Sequence, residues 1–227
     1  PIDPPRAGGT QSSREVIETC FPAYACRGVR EAHRLMRQSI TENCTVFMTL
    51  SGAMTPAGMH QSSIIPMIEA GYVDCLTTTG ANLYHDLHRT LGFLVHEVNP
   101  HGDDRELRKR RIIRIYDVGF AEDVLLDTDT FFCELLKTAP FQRPMTTAEL
   151  HFEIGRAVAQ IEDERKIKRP SLLATCFRHG VPIFVGAPQD GSIYLNVVKM
   201  EREDPRGFAF RLDGARDGYQ TAALQNR

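Results

Sequence analysis

The sequence predicts an α/β domain with a mostly parallel sheet flanked by helices. The stretch Thr45–Gly92 reads twice over as a short apolar strand, a turn of small residues and a helix. A third strand, Val181–Val185, runs into another small-residue turn and a helix from about Ile193. Strands separated by helices pair in parallel, because only a long crossover returns the chain to the same end of the sheet. All three turns then fall at the carboxyl ends of the strands, where α/β sheets bind ligands.

The chain has 227 residues, enough for one α/β domain with a sizeable core. Hydrophobic residues make up 42%, charged residues 25% and the net charge is −2, so charge alone points to neither a nucleic-acid nor a membrane partner. No apolar run approaches the ~18 residues of a membrane span. The six cysteines, Cys20, Cys26, Cys44, Cys75, Cys133 and Cys176, form no CxxC pair and no zinc spacing, and most lie in apolar runs. Buried free thiols in a cytoplasmic protein are expected.

Residues 1–13 carry proline and glycine without periodicity and read as a flexible arm, leaving 14–227 as a single domain. Arg14–Arg37 fits two helical stretches interrupted at Pro22, with Arg27, Arg30 and Arg34 on a solvated face. Thr45–Leu50 is a buried strand. A helix beginning near Pro56 should run to Gly71 with a kink at Pro66. Tyr72–Thr77 is the next strand, and a helix from about Leu83 stops at Gly92. Tyr84, His85, Asp86 and His88 occupy its first two turns, where Asp86 suits the positive end of the helix dipole. His85 and His88 share a face, but no third ligand accompanies them, so no metal is expected.

Phe93–Asn99 reads as extended, Arg105–Arg111 as a solvated basic run, Ile112–Val118 as a strand, and Asp129–Thr138 as helical. Thr146 and Glu149 form a capping box at the head of a helix to about Lys166. Ser171–His179 is a short helix closed by Gly180. The third turn, Gly186–Ser192, contains Asp190 in a DG pair that serves equally as turn former and as ligand contact. Phe208–Leu212 is a last strand and Asp213–Gln225 a weak helix. No Walker loop, GxSxG or GxGxxG is present. The residues alone therefore lead to an α/β domain with ligand loops at SGAMTPAG, TTTGAN and PQDGS.

In that order and spacing the segments SGAMTPAGM, VDCLTTTGANLYHDLH, RIYDVGFAEDVLLDTD, MTTAELHFEIG and SLLATCFRHGVPIFVGAPQDGSI resemble the deoxyhypusine synthase family, in particular its bacterial and archaeal deoxyhypusine-synthase-like branch. The resemblance spans about Arg27 to Val198. It implies a Rossmann-like sheet that binds NAD without the usual glycine fingerprint, and a cytoplasmic homotetramer with composite active sites. It also implies aminobutyl transfer from spermidine or a related polyamine, by amine dehydrogenation and imine transfer through an enzyme lysine, to a lysine of a translation-factor precursor. By position, Gly52, Ala53, Met54, Thr55 and Pro56 match the family's first NAD-contacting loop, Thr79, Gly80 and Ala81 the second, and Asp190 an acid that contacts NAD.

This sequence also departs from the eukaryotic pattern. His85 stands where a ligand-contacting glutamate is found, and as a candidate substrate-binding residue it could act as acid or base. Leu195 stands where a polyamine-binding acid is found. The family's catalytic lysine follows a tryptophan in a later segment, whereas this sequence contains no tryptophan, and Lys109, Lys137, Lys166, Lys168 and Lys199 lie in other contexts. The catalytic-lysine segment is thus expected to be absent. A homospermidine-synthase-type enzyme and an inactive, NAD-binding paralogue or regulatory subunit are the alternative expectations.

Overall fold

A computed structural model of the chain describes residues 1–225. They form two compact units, one of residues 1–46 and one beginning at Phe47. In the first, residues 1–12 carry no helix or strand, and two helices follow, α1 (Ser13–Cys20) and α2 (Tyr24–Thr41). Ser12 and Glu15 form a capping box at the start of α1. Pro22 falls between the helices as expected, and Arg37 reaches Glu18 across them at 2.6 Å. Neither helix buries a side chain among the described residues.

The second unit is organised by three parallel strands, β1 (Phe47–Leu50), β2 (Cys75–Thr78) and, from later in the chain, Ile183–Val185, in the spatial order β1, β2, Ile183–Val185. Register decides what this sheet can do. Leu50 pairs with Thr78, and Thr78 with Val185, so all three strands end level and their loops emerge side by side. Between β1 and β2 the chain forms a π-helical turn at His60–Ile64 and then α3 (Ile65–Glu69). The helix expected from Pro56 thus begins only at His60. Pro66 has no N–H to return to the preceding turn, and the wider bonding, Ile65 N–H to His60 C=O, absorbs the mismatch.

Helix α4 (Gly80–Thr90) leaves β2 directly, starting at Gly80 rather than near Leu83. Then come β3 (His96–Glu97), α5 (Asp104–Lys109), β4 (Ile112–Ile115) and β5 (Val118–Ala121). The expected strand 112–118 is a hairpin instead: Ile115 faces Val118 across the two-residue turn Tyr116–Asp117, and Tyr116 takes a φ of 55°. Helix α6 (Glu122–Leu136) begins seven residues earlier than expected, because Val124, Thr128, Phe132 and Leu136 make one buried stripe. β6 (Pro144–Met145), α7 (Thr147–Arg165) and α8 (Leu172–His179) follow, then β7 (Ile183–Val185), α9 (Ser192–Glu203), β8 (Arg211–Leu212) and α10 (Gly214–Gln225). The capping box on α7 forms as expected, and β8 pairs in parallel with β6.

The core lies between the sheet and its helices, with Leu76, Leu83, Leu87, Leu150, Ile154, Leu172 and Ile193 fully enclosed. On the outer side of β7 no further strand pairs with it among the described residues. Side chains of α7 take that place. Thr147 Oγ1 accepts the Val185 N–H at 3.1 Å, and His151 Nδ1 meets the Ile183 carbonyl at 3.2 Å. Against a carbonyl Nδ1 must donate, so Nε2 is left to accept from the Tyr194 hydroxyl at 3.2 Å. All six cysteines are free thiols, but only Cys75 and Cys176 are buried, while Cys26 and Cys44 are exposed.

Candidate functional site

The level strand ends of β1, β2 and β7 open into a cleft of about 600 Å³, lined by Thr49–Ala53, Thr77–Ala81, Gly186, Ala187 and Asp190. It collects one segment from each predicted loop. Gly52, Ala53, Thr79, Gly80, Ala81 and Asp190 all line it. Gly52 makes the first turn at φ +65°, a conformation that L side chains adopt only at a cost. Its carbonyl accepts from the Thr79 hydroxyl at 2.6 Å, which ties the first loop to the second. The second and third loops touch backbone to backbone: a Cβ on Gly80 would lie 2.8 Å from the Gly191 Cα. Asp190 is the one charged side chain in the lining among the described residues. The amides of Gly80 and Ala81 open α4 and have no preceding helical carbonyl to bond, so the cleft ends on a partial positive charge.

Met54, Thr55 and Pro56 take a different place. None of them lines the cleft, and Thr55 and Pro56 are buried. Their backbone is held from behind by α4. Asn82 Oδ1 accepts the N–H of Met54 at 2.7 Å and of Thr55 at 3.3 Å, and its amide nitrogen donates to Thr78 Oγ1 at 3.0 Å. The Thr55 hydroxyl donates to the Asn82 carbonyl at 2.8 Å. Arg89 donates to the carbonyls of Thr55 at 2.9 Å and Pro56 at 2.8 Å. In the sequence Asn82 reads only as the end of the second loop, and Arg89 carries no signal of its own. The available signal was their spacing on α4, together with a polar residue at a position destined for burial.

His85 is also elsewhere. It sits more than a turn along α4, packed against Phe120 at 5.9 Å and edge-on to His88 at 4.8 Å. It does not line the cleft, and burial holds its pKa down at about 4. His88 is fully enclosed and held lower still, at about 3, by burial and by its neighbours His85 and Arg89. Neither ring nitrogen of His88 has a hydrogen-bond partner among the described residues. Asp86 does not serve the dipole of its own helix. It accepts the N–H groups of Leu172 at 2.8 Å and Leu173 at 2.9 Å, and so caps α8 from outside. Burial pushes its pKa up to about 7 in spite of these bonds, and His60 lies 3.6 Å away. Among the described residues no three His, Cys, Asp or Glu side chains converge on a point that could hold a metal.

A family model described as deoxyhypusine synthase matches residues 15–226. The chain belongs to the deoxyhypusine synthase family. Relatives repeat the match across kingdoms. The chain is 44% identical over 211 residues to a deoxyhypusine synthase-like protein of Nostoc sp. strain PCC 7120, covering 92% of this chain and 54% of that protein. It is 32% identical over 219 residues to a protein of Methanosarcina acetivorans described as "Probable deoxyhypusine synthase 2", covering 96% of this chain and 60% of the other. The fold is similar to that in a crystal structure of a candidate deoxyhypusine synthase from Entamoeba histolytica, with a TM-score of 0.57 at 14% identity over 79% of this chain and 52% of that one. The chain therefore spans about half the length of the relatives it matches.

Proposed function

We propose that this chain carries the NAD-binding part of a deoxyhypusine-synthase-like transferase acting on spermidine or a related polyamine, by amine dehydrogenation and imine transfer. The observation that carries this reading is the convergence of three small-residue loops on one cleft that ends at the head of α4. A dinucleotide needs close backbone approach, free N–H groups for its phosphates and a hydrogen-bond acceptor for a ribose. The small residues Gly52, Ala53, Gly80 and Ala81 in the lining supply the first, and Gly80 against Gly191 keeps the second and third loops close enough to share one cleft. Gly80 and Ala81 supply the second, and Asp190 the third. When bound there, NAD supplies a hydride acceptor for the amine-bearing carbon of the polyamine.

The family resemblance extends this reading to a cytoplasmic homotetramer that delivers the aminobutyl group to a lysine of a translation-factor precursor. Among the described residues no lysine lines the cleft. A second reading is a chain that binds NAD as an inactive paralogue or regulatory subunit. Titration calorimetry with NAD, followed by incubation with NAD and labelled spermidine with and without acceptor protein, separates the two. Saturable NAD binding that weakens in Asp190→Ala is expected under both readings, and label transfer only under the first. An absence of NAD binding, or binding indifferent to Asp190→Ala, overturns the assignment of the cleft.

A further inference from the structure

Asn82, Asp86 and Arg89 lie at i, i+4 and i+7 on α4 and share one face. Two of them hold the same three-residue segment. Asn82 takes the amides of Met54 and Thr55, and Arg89 takes the carbonyls of Thr55 and Pro56. Every loop atom held in these four bonds belongs to the main chain, so the grip fixes where the backbone runs, whatever side chains it carries. The segment leads directly out of Gly52 and Ala53, which do line the cleft. The same helix supplies the opposite wall through Gly80 and Ala81.

Building on the NAD reading of this cleft, we infer that Asn82 and Arg89 are positioning residues that hold the first loop in its ligand-ready path, although neither touches the ligand. A loop ordered beforehand gives up no further conformational freedom when the ligand arrives. Releasing it should weaken binding through the free state rather than through a lost contact. A purely structural role would instead lower stability and leave affinity in the folded protein unchanged.

The test pairs Asn82→Ala and Arg89→Ala with Ser171→Ala, which removes the hydroxyl capping α8 at Ala174 and touches none of the three loops. Three quantities are read on the whole chain: melting temperature, the NAD dissociation constant, and amide exchange across residues 51–58 without ligand. We expect each α4 variant to bind NAD about tenfold more weakly, the scale of one lost buried hydrogen-bonded grip. Exchange at 51–58 should quicken in both, and Ser171→Ala should lower the melting temperature without changing the dissociation constant. NAD affinity unchanged in both α4 variants overturns the inference, as does an affinity loss matched by Ser171→Ala. Should the alanine variants fail to fold, Asn82→Asp keeps the acceptor for both loop amides and Arg89→Lys keeps one donor. Near-normal affinity in Asn82→Asp with a loss in Arg89→Lys is then expected, and full affinity in both variants overturns the inference. If the unaltered chain binds no NAD, the cofactor reading fails, while the exchange data still report whether α4 orders the loop.

Discussion

At the scale of single residues, contacts between backbones decide more than the chemistry of side chains. Gly80 is the sharpest case, because its Cα stands where any Cβ would press on Gly191. Gly80→Ala should push the second and third loops apart at a cost on the order of 1–3 kcal/mol, as overpacking does elsewhere. NAD titration of the variant should show at least a fivefold weaker dissociation constant, and wild-type affinity would mean that the two loops need not touch. His85 teaches the converse. Its place in the sequence suggests a catalytic group, yet its ring packs on Phe120 and burial holds it neutral down to a pH of about 4. His85→Gln should therefore leave NAD affinity as it was and show its effect in the melting temperature.

At the scale of elements, what was legible depended on whether the deciding interaction was local. Thr146 and Glu149 are three residues apart, and their capping box formed as read. Thr146 is fully buried and serves the longest helix of the structure, so Thr146→Ala should cost about 1 kcal/mol, seen as a lower denaturant midpoint with an unchanged slope. The loops at SGAMTPAG, TTTGAN and PQDGS were equally legible, because strand, small residues and helix follow one another along the chain. What could not be read was set across distance. Asp86 is bound to amides 86 and 87 residues away, so its sequence neighbourhood suggested its own helix dipole. Met54, Thr55 and Pro56 read as cleft residues from their loop, but they do not line it, and their backbone is held by Asn82 and Arg89, almost 30 residues or more downstream. The hairpin at Tyr116–Asp117 was missed because it lacks the glycine or asparagine that usually marks such a turn.

At the scale of the whole molecule, the interior responds to acid. Burial holds His60, His85 and His151 at about 4 and His88 at about 3, against 6.5 in an open chain. Between those values the unfolded chain binds protons that the folded one refuses, so stability falls as pH drops from 6.5 towards 4. Asp86 works the other way, since its folded value near 7 lies above the unfolded 3.8 and favours the fold as pH falls through that window. Four groups outweigh one, so the denaturant midpoint should be lower at pH 5 than at pH 7. His88→Phe should flatten that dependence, because it removes two unpartnered nitrogens from among aromatic rings. A midpoint independent of pH, or a variant with the slope of the parent, would count against this account.

The side chains that stand in for a strand beside β7 have a wider consequence. A sheet edge is blunted where its outermost backbone groups are already engaged, and on β7 a threonine and a histidine engage the Val185 N–H and the Ile183 carbonyl. Replacing them together, Thr147→Val with His151→Phe, would leave a bare hydrogen-bonding template one strand long. The expected signature is concentration-dependent assembly in light scattering, with secondary structure preserved. Two polar atoms near the start of α7 thus give the β7 side of this sheet its protection against pairing with a second copy.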